Sequence, residues 1–189
     1  MGPVTVVYDA CVLYPAPLRS FLMYLALTDL YWARWTNQIH EEWMRNVQQD
    51  FPDIARQQTE RIRDLMNAHV RDCLVSGYES LIPSLTLPDP DDRHVLAAAI
   101  HCGAQVIVTF NLQDFPADVL QQYGVEARHP DDFLLEQLIS APEIVCAAAR
   151  QQRQSLKRPA MGVDAFLASL ERQDIPRTVS QLRHQSHIL

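Results

Sequence analysis

Lysine and glycine are both scarce in this chain. Its 189 residues include a single lysine, Lys157, and five glycines, none of which belongs to a G-x-G-x-x-G motif. A P-loop, a Schiff base and a phosphate-clamping lysine all need a lysine in the body of the protein, where this chain has none. The missing glycine motif likewise excludes the fingerprint of a dinucleotide-binding fold.

Cysteines and long apolar runs give a second set of exclusions. The four cysteines are scattered and form no C-x-x-C pair, so we expect small buried side chains of a reducing compartment rather than a disulfide or zinc framework. No apolar run approaches the length of about 18 residues that a membrane-spanning helix needs, and no signal peptide is evident. The sequence therefore predicts a cytoplasmic protein that is not bound to a membrane.

Negative charge is unevenly distributed. Residues 1–139 contain 9 Lys and Arg against 19 Asp and Glu, a net charge of −10, whereas residues 140–189 contain 7 against 4, a net charge of +3. An acidic body does not grip phosphates by bulk charge, although metal ions held by carboxylates would permit contact with nucleic acid. The sequence predicts a main domain at 1–139 and a small C-terminal helical extension at 140–189. Three short helices are expected there, with breaks at Pro142, Pro159 and Pro176.

Two apolar segments read as buried parallel strands that end in acids. Val4–Tyr8 is followed directly by Asp9, and the run from Gln105 to Phe110 is followed by Asn111 and Asp114. In open α/β sheets, ligands bind outside the carboxyl ends of the strands. If the two strands are neighbours in one parallel sheet, their acids converge on one edge.

The other elements complete an α/β pattern. A helix from Asp91 to Cys102 precedes the second of these strands, and Thr36 or Asn37 can cap a helix that carries Glu41 and Glu42. The remaining expectations are helices at about 17–30, 53–70 and 117–123, a strand ending at Thr36, a short strand within 73–82, a strand at 125–127 and a helix from Pro130.

Four acids form the candidate site: Asp9, Glu42, Asp92 and Asp114. Their near neighbours are Asp89, Asp91, Glu41 and Asn111. Several carboxylates in one pocket repel unless protons or a cation join them, and Mg²⁺ or Mn²⁺ suits an all-oxygen set. Acids without a catalytic Lys, Ser or Cys point to metal-assisted phosphodiester hydrolysis.

Each acid also has a structural interpretation. Asp89-Pro90-Asp91-Asp92 fits a helix cap, with proline in the first turn and acids after it. Glu41 and Glu42 alone fit a solvated helix face, and Asp114 alone fits a turn cap. An acid directly after a buried strand, such as Asp9, is costly unless it is paired or metal-bound. The joint placement of the four on one edge favours function.

The motifs that carry these residues resemble the PIN-domain ribonucleases, and most closely the VapC-like toxin branch of toxin–antitoxin pairs. They are DACVLYPAPLR, TNQIHEEW, PDPDDRHVLAAAI and IVTFNLQDF, in this order and spacing, and the resemblance covers about residues 3–138. It implies a three-layer α/β/α sandwich with a central parallel sheet and a Mg²⁺- or Mn²⁺-dependent endoribonuclease site.

The resemblance also implies residue roles. Asp9, Asp92 and Asp114 are the metal ligands, and Glu42 is the family glutamate, with Glu41 as its rival. Further ligand candidates are Asp89, Asp91 and Asn111; the last stands where the family often has aspartate. Arg19 and Arg93 match basic positions that could contact RNA phosphates.

A toxin of this type would cleave RNA to leave a 3′-hydroxyl and a 5′-phosphate. Its expected partners are a cognate antitoxin that covers the acidic pocket and a second copy of the chain in a homodimer. The basic residues of the extension could guide RNA, contact a partner or simply belong to a helical lid; they are Arg150, Arg153, Lys157 and Arg158.

Two other functions remain open from the sequence. One is a catalytically degenerate PIN-fold module that binds RNA or protein; Asn111 supports it, and the acids Asp9, Asp92 and Asp114 oppose it. The other is a metal-dependent phosphatase on a related sheet. The haloacid-dehalogenase type needs D-x-D after the first strand, and Asp9-Ala10-Cys11 does not provide it.

Overall fold

The computed structural model of the chain describes residues 2–157 and 160–189, and Arg158 and Pro159 therefore lie outside the described residues. The chain forms two compact units. The sheet unit comprises the chain up to Tyr14 together with Tyr31–His129, and the helical unit comprises Pro15–Leu30 and Pro130–Leu189. This partition by packing does not test the predicted domain boundary after residue 139, which stays a prediction.

The sheet unit alternates strands and helices. Its strands are β1 (Val4–Tyr8), β2 (Tyr31–Arg34), β3 (Val106–Val108) and β4 (Glu126–Arg128), and its helices are α1 (Ala10–Leu13), α3 (Asn37–Asp50), α4 (Arg56–His69), α5 (Arg93–Cys102) and α6 (Ala117–Gln121). Short 3₁₀ helices occupy Glu79–Ser84, Pro90–Asp92 and Leu112–Asp114. The helical unit contains α2 (Ala16–Ala26), α7 (Pro130–Ser140), α8 (Pro142–Ser155), α9 (Val163–Glu171), α10 (Pro176–His184) and a 3₁₀ turn at Ser186–Ile188.

The four strands pair in parallel in the order β2-β1-β3-β4. The first strand is thus central, with β2 on one side and β3 on the other, which makes the gap between β1 and β3 a topological switch point. Tyr8 pairs with Val108, so the residues that follow these two strands lie side by side. The predicted α/β/α architecture, a central parallel sheet flanked by helices, is confirmed.

The strands at the centre of the sheet are apolar and buried. Val6 and Val7 of β1 and Ile107 of β3 are fully buried, as two-sided coverage of a parallel sheet requires. Helix α5 packs against β1 and β3, and its alanines at 97–99 allow a close approach. Gly103 ends α5 in the left-handed conformation, with φ 66°, and its N–H reaches the carbonyls of Ala99 and Ile100.

Several element bounds differ from the prediction. Strand β3 is three residues long, although backbone hydrogen bonds extend its pairing from Gln105 to Thr109. The expected strand within 73–82 is only a parallel bridge between Trp35 and Leu74, because the chain then turns into the 3₁₀ helix at Glu79–Ser84. The helix expected at about 17–30 ends at Ala26, and α1, which lies before it, was not predicted.

The helical unit has its own core. Helix α2 packs against α8 and α9, and α7 packs against α8 and α10. Pro142 and Pro176 are the first residues of α8 and α10, as expected from their fixed backbone angle. Arg153, one of the basic residues of the extension, donates to the backbone carbonyls of Met161 and Leu189, and a role in guiding RNA stays a prediction.

None of the helices in the part of the chain that the structure describes combines the length and apolarity that crossing a membrane requires.

Candidate active site

Asp9 occupies the switch point of the sheet. It follows β1 directly, and its backbone N–H donates to the Val108 carbonyl at 3.1 Å. Its side chain is 3% exposed and accepts a hydrogen bond from the backbone N–H of Ala10 at 2.6 Å, which caps α1. The predicted position at the carboxyl edge, beside the end of β3, is the one observed.

Two further side chains donate to the Asp9 carboxylate. The Thr109 hydroxyl donates to Oδ2 at 2.7 Å, and the Cys11 thiol approaches the same oxygen at 3.2 Å. The Cys11 sulfur in turn accepts the N–H of Phe110 at 3.3 Å. Residues after β1 and after β3 together therefore fix the orientation of this carboxylate.

Burial dominates the electrostatics of Asp9. It raises the pKa of the Asp9 carboxyl, and the donors Thr109, Cys11 and Ala10 only partly offset it. The negative charge of Glu42 raises the Asp9 pKa further. A buried acid with a second carboxylate acting on it is the environment that the sequence predicted for a cation site.

The charges of three other carboxylates act on Asp92. Its pKa is raised to about 7, first by burial and then by the charges of Asp9, Asp89 and Asp114, whereas His94 lowers it. Asp89 is the acid with the capping role, because its Oδ1 accepts the backbone N–H of Asp91 at 2.8 Å. Asp92 precedes α5 and makes no side-chain cap bond, so its carboxylate is not used for capping.

Asp114 and Asn111 lie on the 3₁₀ turn that follows β3. Asp114 is half-buried and its charge acts on Asp92, whereas Asn111 is exposed. The Asn111 N–H donates to the Thr109 hydroxyl, and its carbonyl accepts from the Asp114 N–H at 3.0 Å. The turn therefore uses the Asn111 backbone to hold Asp114 near the edge of the sheet.

The neighbouring glutamates of α3 have different surroundings. Glu41 is exposed and pairs with Arg56 at 2.9 Å and with Arg63 at 4.0 Å on α4. Glu42 is 22% exposed, lies 2.9 Å from the buried His94 imidazole, and acts on the charge of Asp9. The structure thus brings Glu42, and not Glu41, to the other acids.

The remaining predicted residues have other surroundings. Asp91 is exposed on the 3₁₀ turn before α5, and the Arg93 guanidinium donates to the Pro90 carbonyl at 2.9 Å. Arg19 belongs to the helical unit and is buried, which lowers the pKa of its guanidinium to about 10. Contacts of Arg19 and Arg93 with RNA stay predictions.

Three residues that contact the acids of the candidate site were not predicted from the sequence: Thr109, Cys11 and His94. The register of the sheet could have indicated Thr109, because a residue that follows β3 must lie beside one that follows β1. Cys11 was interpreted only as a small buried residue, yet it is half-buried and contacts Asp9. His94 is buried beside Glu42, and no local sequence pattern indicates this contact.

The donor set fits a hard cation. Asp9, Asp92 and Asp114 offer only carboxylate oxygens, and the pKa values of the first two are raised by burial first and by neighbouring carboxylates second, both of which a divalent ion would offset. Across residues 2–157 and 160–189, however, no three acidic, histidine or cysteine side chains stand in a ready-made metal-binding arrangement. The chemistry of the residues fits Mg²⁺ or Mn²⁺, and the choice of ion stays open.

Comparisons with known proteins agree with this geometry. The family model described as "PIN domain" matches residues 5–113, and the model described as "VapC50 C-terminal domain" matches residues 130–184. The second match begins before the predicted extension at residue 140. Together they confirm the predicted resemblance to the VapC-like branch.

One curated relative matches part of the chain. It is "Putative ribonuclease VapC50" of Mycobacterium tuberculosis (strain ATCC 25618 / H37Rv), 55% identical over 62 residues, which are 33% of this chain and 36% of that protein. The alignment thus spans about a third of the relative's length. No solved structure matches the chain significantly. Because the PIN domain model covers more than half of the chain and ends in the turn beyond β3, the chain belongs to the PIN domain family.

Proposed function

We propose that this chain is a metal-dependent endoribonuclease that hydrolyses RNA phosphodiester bonds and serves as the toxin of a type II toxin–antitoxin pair. One observation carries the proposal: carboxylates from three parts of the PIN domain act on one another at the switch point of the sheet, where Asp9 is buried and the Asp92 pKa is raised to about 7. The relative named as a ribonuclease supports the choice of RNA.

Asp9, Asp92 and Asp114 would hold Mg²⁺ or Mn²⁺. When bound, such an ion activates water for attack and stabilises negative charge that develops on the phosphoryl group. The protein's contribution is orientation. Thr109, together with Cys11, holds the Asp9 carboxylate at a fixed angle, and the turn at Leu112–Asp114 holds Asp114.

Glu42 adds a fourth carboxylate from α3, an element that carries none of the proposed ligands. Its negative charge raises the pKa of Asp9. We assign it to the site in place of Glu41, whose carboxylate is engaged by arginines of α4. A role in accepting a proton or orienting water suits a half-buried carboxylate at this position.

The partners follow from the proposed class. A toxin acts on RNA in the cytoplasm, and its antitoxin would cover the acidic edge with basic side chains, since opposite charges favour such an association. A homodimer is also proposed. These partners rest on the family and on the VapC name of the relative, not on contacts in this chain.

Cleavage of a mixed RNA pool tests the function. Purified protein is incubated with Mn²⁺, Mg²⁺ or EDTA, beside the variants Asp9→Asn and Asp92→Asn. We expect ion-dependent cutting that both substitutions reduce at least about 100-fold, with 5′-phosphate ends on the products. Equal trace activity in all three proteins would reject the nuclease and favour the degenerate binding module, for which the exposed Asn111 amide is the supporting feature.

A further inference from the structure

His94 is a buried residue beside Glu42. It is the second residue of α5, two positions after Asp92, and its side chain is 2% exposed. Its Nε2 atom lies 2.9 Å from Oε1 of Glu42, on α3. The imidazole therefore joins the helix that follows Asp92 to the helix that carries Glu42.

The imidazole has few other polar contacts. Both ring nitrogens are enclosed, and neither makes a hydrogen bond of good geometry within the described residues, so the 2.9 Å approach to Glu42 is close but not linear. An ionised carboxylate can only accept a hydrogen bond. A hydrogen bond to Glu42 therefore requires the His94 proton on Nε2, and a small rotation of either side chain would complete the bond.

The contact of Glu42 with its own helix is long. The Gln38 amide, one turn earlier on α3, donates to the Glu42 carboxylate at 3.5 Å, the outer limit of a hydrogen bond. A glutamate has three rotatable side-chain bonds, so an unsupported carboxylate would sample several positions. The buried imidazole of His94 offers the Glu42 carboxylate a fixed neighbour on another helix.

We propose that His94 is a positioning residue that holds Glu42 toward Asp9, so that the carboxylate of α3 keeps its place among the acids of the sheet edge. The inference rests on the proposed nuclease function for its effect on activity, but not for the contact itself. In the alternative, His94 only fills space at the start of α5, and any side chain of similar size would serve.

Three substitutions separate the two roles. His94→Gln places an amide donor near the position of Nε2, His94→Asn places it near the position of Nδ1, and His94→Leu fills similar volume with no donor. A positioning role predicts rescue by glutamine alone. We expect His94→Gln to keep cleavage within about threefold of wild type, and His94→Asn and His94→Leu each to lose about 10–100-fold, the usual effect of residues that orient a metal or catalytic group.

A double variant tests whether His94 acts through Glu42. If it does, His94→Leu in a Glu42→Gln background costs little beyond Glu42→Gln alone, since coupled residues are not additive. Losses that multiply, or equal activity in His94→Leu and His94→Gln, would overturn the proposal. Urea unfolding of each variant in EDTA shows whether lost activity reflects lost folding.

A spectroscopic readout does not need RNA or metal. Long-range ¹H–¹⁵N correlation of the metal-free protein reports which ring nitrogen of His94 carries the proton. We expect the Nε2-bound form, with a signal that moves in Glu42→Gln and not in the matched control Glu41→Gln. A signal indifferent to Glu42→Gln would overturn the contact. Wild-type protein that cuts no RNA but shows the expected shifts would instead reject the proposed function.

Discussion

At the scale of single residues, Asp9 is a buried carboxylate that donors on both sides of the switch point orient. Burial disfavours its charge, and donors from two loops favour it. Thr109 makes the shortest side-chain contact, 2.7 Å to Oδ2, and Cys11 reinforces it from the other loop. Uncharged donors thus orient the Asp9 carboxylate and favour its ionised form, which burial and the Glu42 charge disfavour.

Removing the Thr109 hydroxyl should therefore impair the site without removing an acid. Thr109→Val keeps the shape of the side chain but loses the donor to Asp9, and we expect RNA cleavage at a fixed Mn²⁺ concentration to fall about 10–100-fold. Thr109→Ser, which keeps the hydroxyl, is the matched control and should stay near wild type. Equal losses in both variants would mean that the methyl group, not the hydrogen bond, matters.

The glutamate doublet gives a second residue-scale prediction. Glu42→Gln should reduce cleavage about 100-fold, on the order expected for a catalytic carboxylate, whereas Glu41→Gln should leave it near wild type because Glu41 is paired with Arg56 on the surface. Initial cleavage rates of a defined RNA at saturating Mn²⁺ provide the measurement. Reversed sensitivities would move the site assignment to Glu41.

At the scale of elements, helices are held by side chains far away in sequence. Asp131, in the first turn of α7, is buried and accepts the backbone N–H groups of Arg177 and Thr178, at 3.0 and 2.8 Å, together with the Thr178 hydroxyl. It caps the start of α10 across 46 residues of sequence. The sequence predicted an acid-rich helix start at Pro130 but not this partner, since no local pattern links α7 to α10.

Loss of this cap should destabilise the protein. Asp131→Ala removes a buried charge-assisted cap, and we expect the free energy of unfolding to fall by about 2–3 kcal/mol. Asp132→Ala, which removes only an exposed partner of Arg177, should cost less than about 1 kcal/mol. Urea unfolding monitored by circular dichroism compares the two. Similar losses in both variants would contradict the capping role.

The contact between α3 and α4 depends on a neutral histidine. His40 is buried; it accepts from the Trp43 indole through Nδ1 at 3.0 Å, and its Nε2 lies 3.0 Å from Asn67. Burial lowers the His40 pKa to about 4, against 6.5 when unfolded, so the unfolded chain binds more protons between these values. The contribution of neutral His40 to the free energy of unfolding is therefore complete above pH 6.5 and is lost as the pH falls toward 4.

When the pH falls from 7.5 to 5, we therefore expect the titration of His40 to lower the free energy of unfolding of the wild type by about 2 kcal/mol. The raised pKa values of Asp9 and Asp92 act in the opposite direction, so the wild type must be compared with His40→Gln, in which those acids are unchanged. The stability advantage of the wild type over His40→Gln should shrink at pH 5. An advantage that is constant with pH would show that His40 does not titrate on unfolding.

At the scale of the whole molecule, the acids gathered at the edge of the sheet lower the stability of the metal-free protein at neutral and higher pH. Asp92 lies among three carboxylates, and its pKa is raised to about 7 in the folded protein, so its charge opposes folding above that pH when no cation is present. The opposition fades as the pH falls toward the unfolded value near 4. In the proposed nuclease, a bound divalent ion would offset this effect.

Asp92→Asn should accordingly stabilise the metal-free protein. In EDTA at pH 8 we expect a gain of about 1 kcal/mol, reduced because solvent screens this half-exposed group, and a Tm higher by about 2–4 °C. The gain should shrink at pH 5. Added Mn²⁺ should raise the Tm of the wild type more than that of the variant. A lower Tm for Asp92→Asn at pH 8 would contradict the repulsion.

The sequence predicts the parallel sheet and the edge that carries Asp9 because apolar strands followed by acids obey short-range rules. It does not predict that Thr109 and Cys11 orient Asp9, since that contact depends on the β1–β3 register. It also leaves Glu41 and Glu42 equivalent. Tertiary packing distinguishes them: Glu41 pairs with Arg56 of α4, whereas Glu42 lies beside His94 of α5.

One measurement tests the central claim, that the acids at the β1–β3 switch point act together through a divalent ion on RNA. Mn²⁺ binding and RNA cleavage are followed in the same samples of wild type and Asp9→Asn. We predict that cleavage rises with the same Mn²⁺ dependence as binding, and that Asp9→Asn loses both. Cleavage that persists in EDTA, or in Asp9→Asn without bound Mn²⁺, would contradict the account.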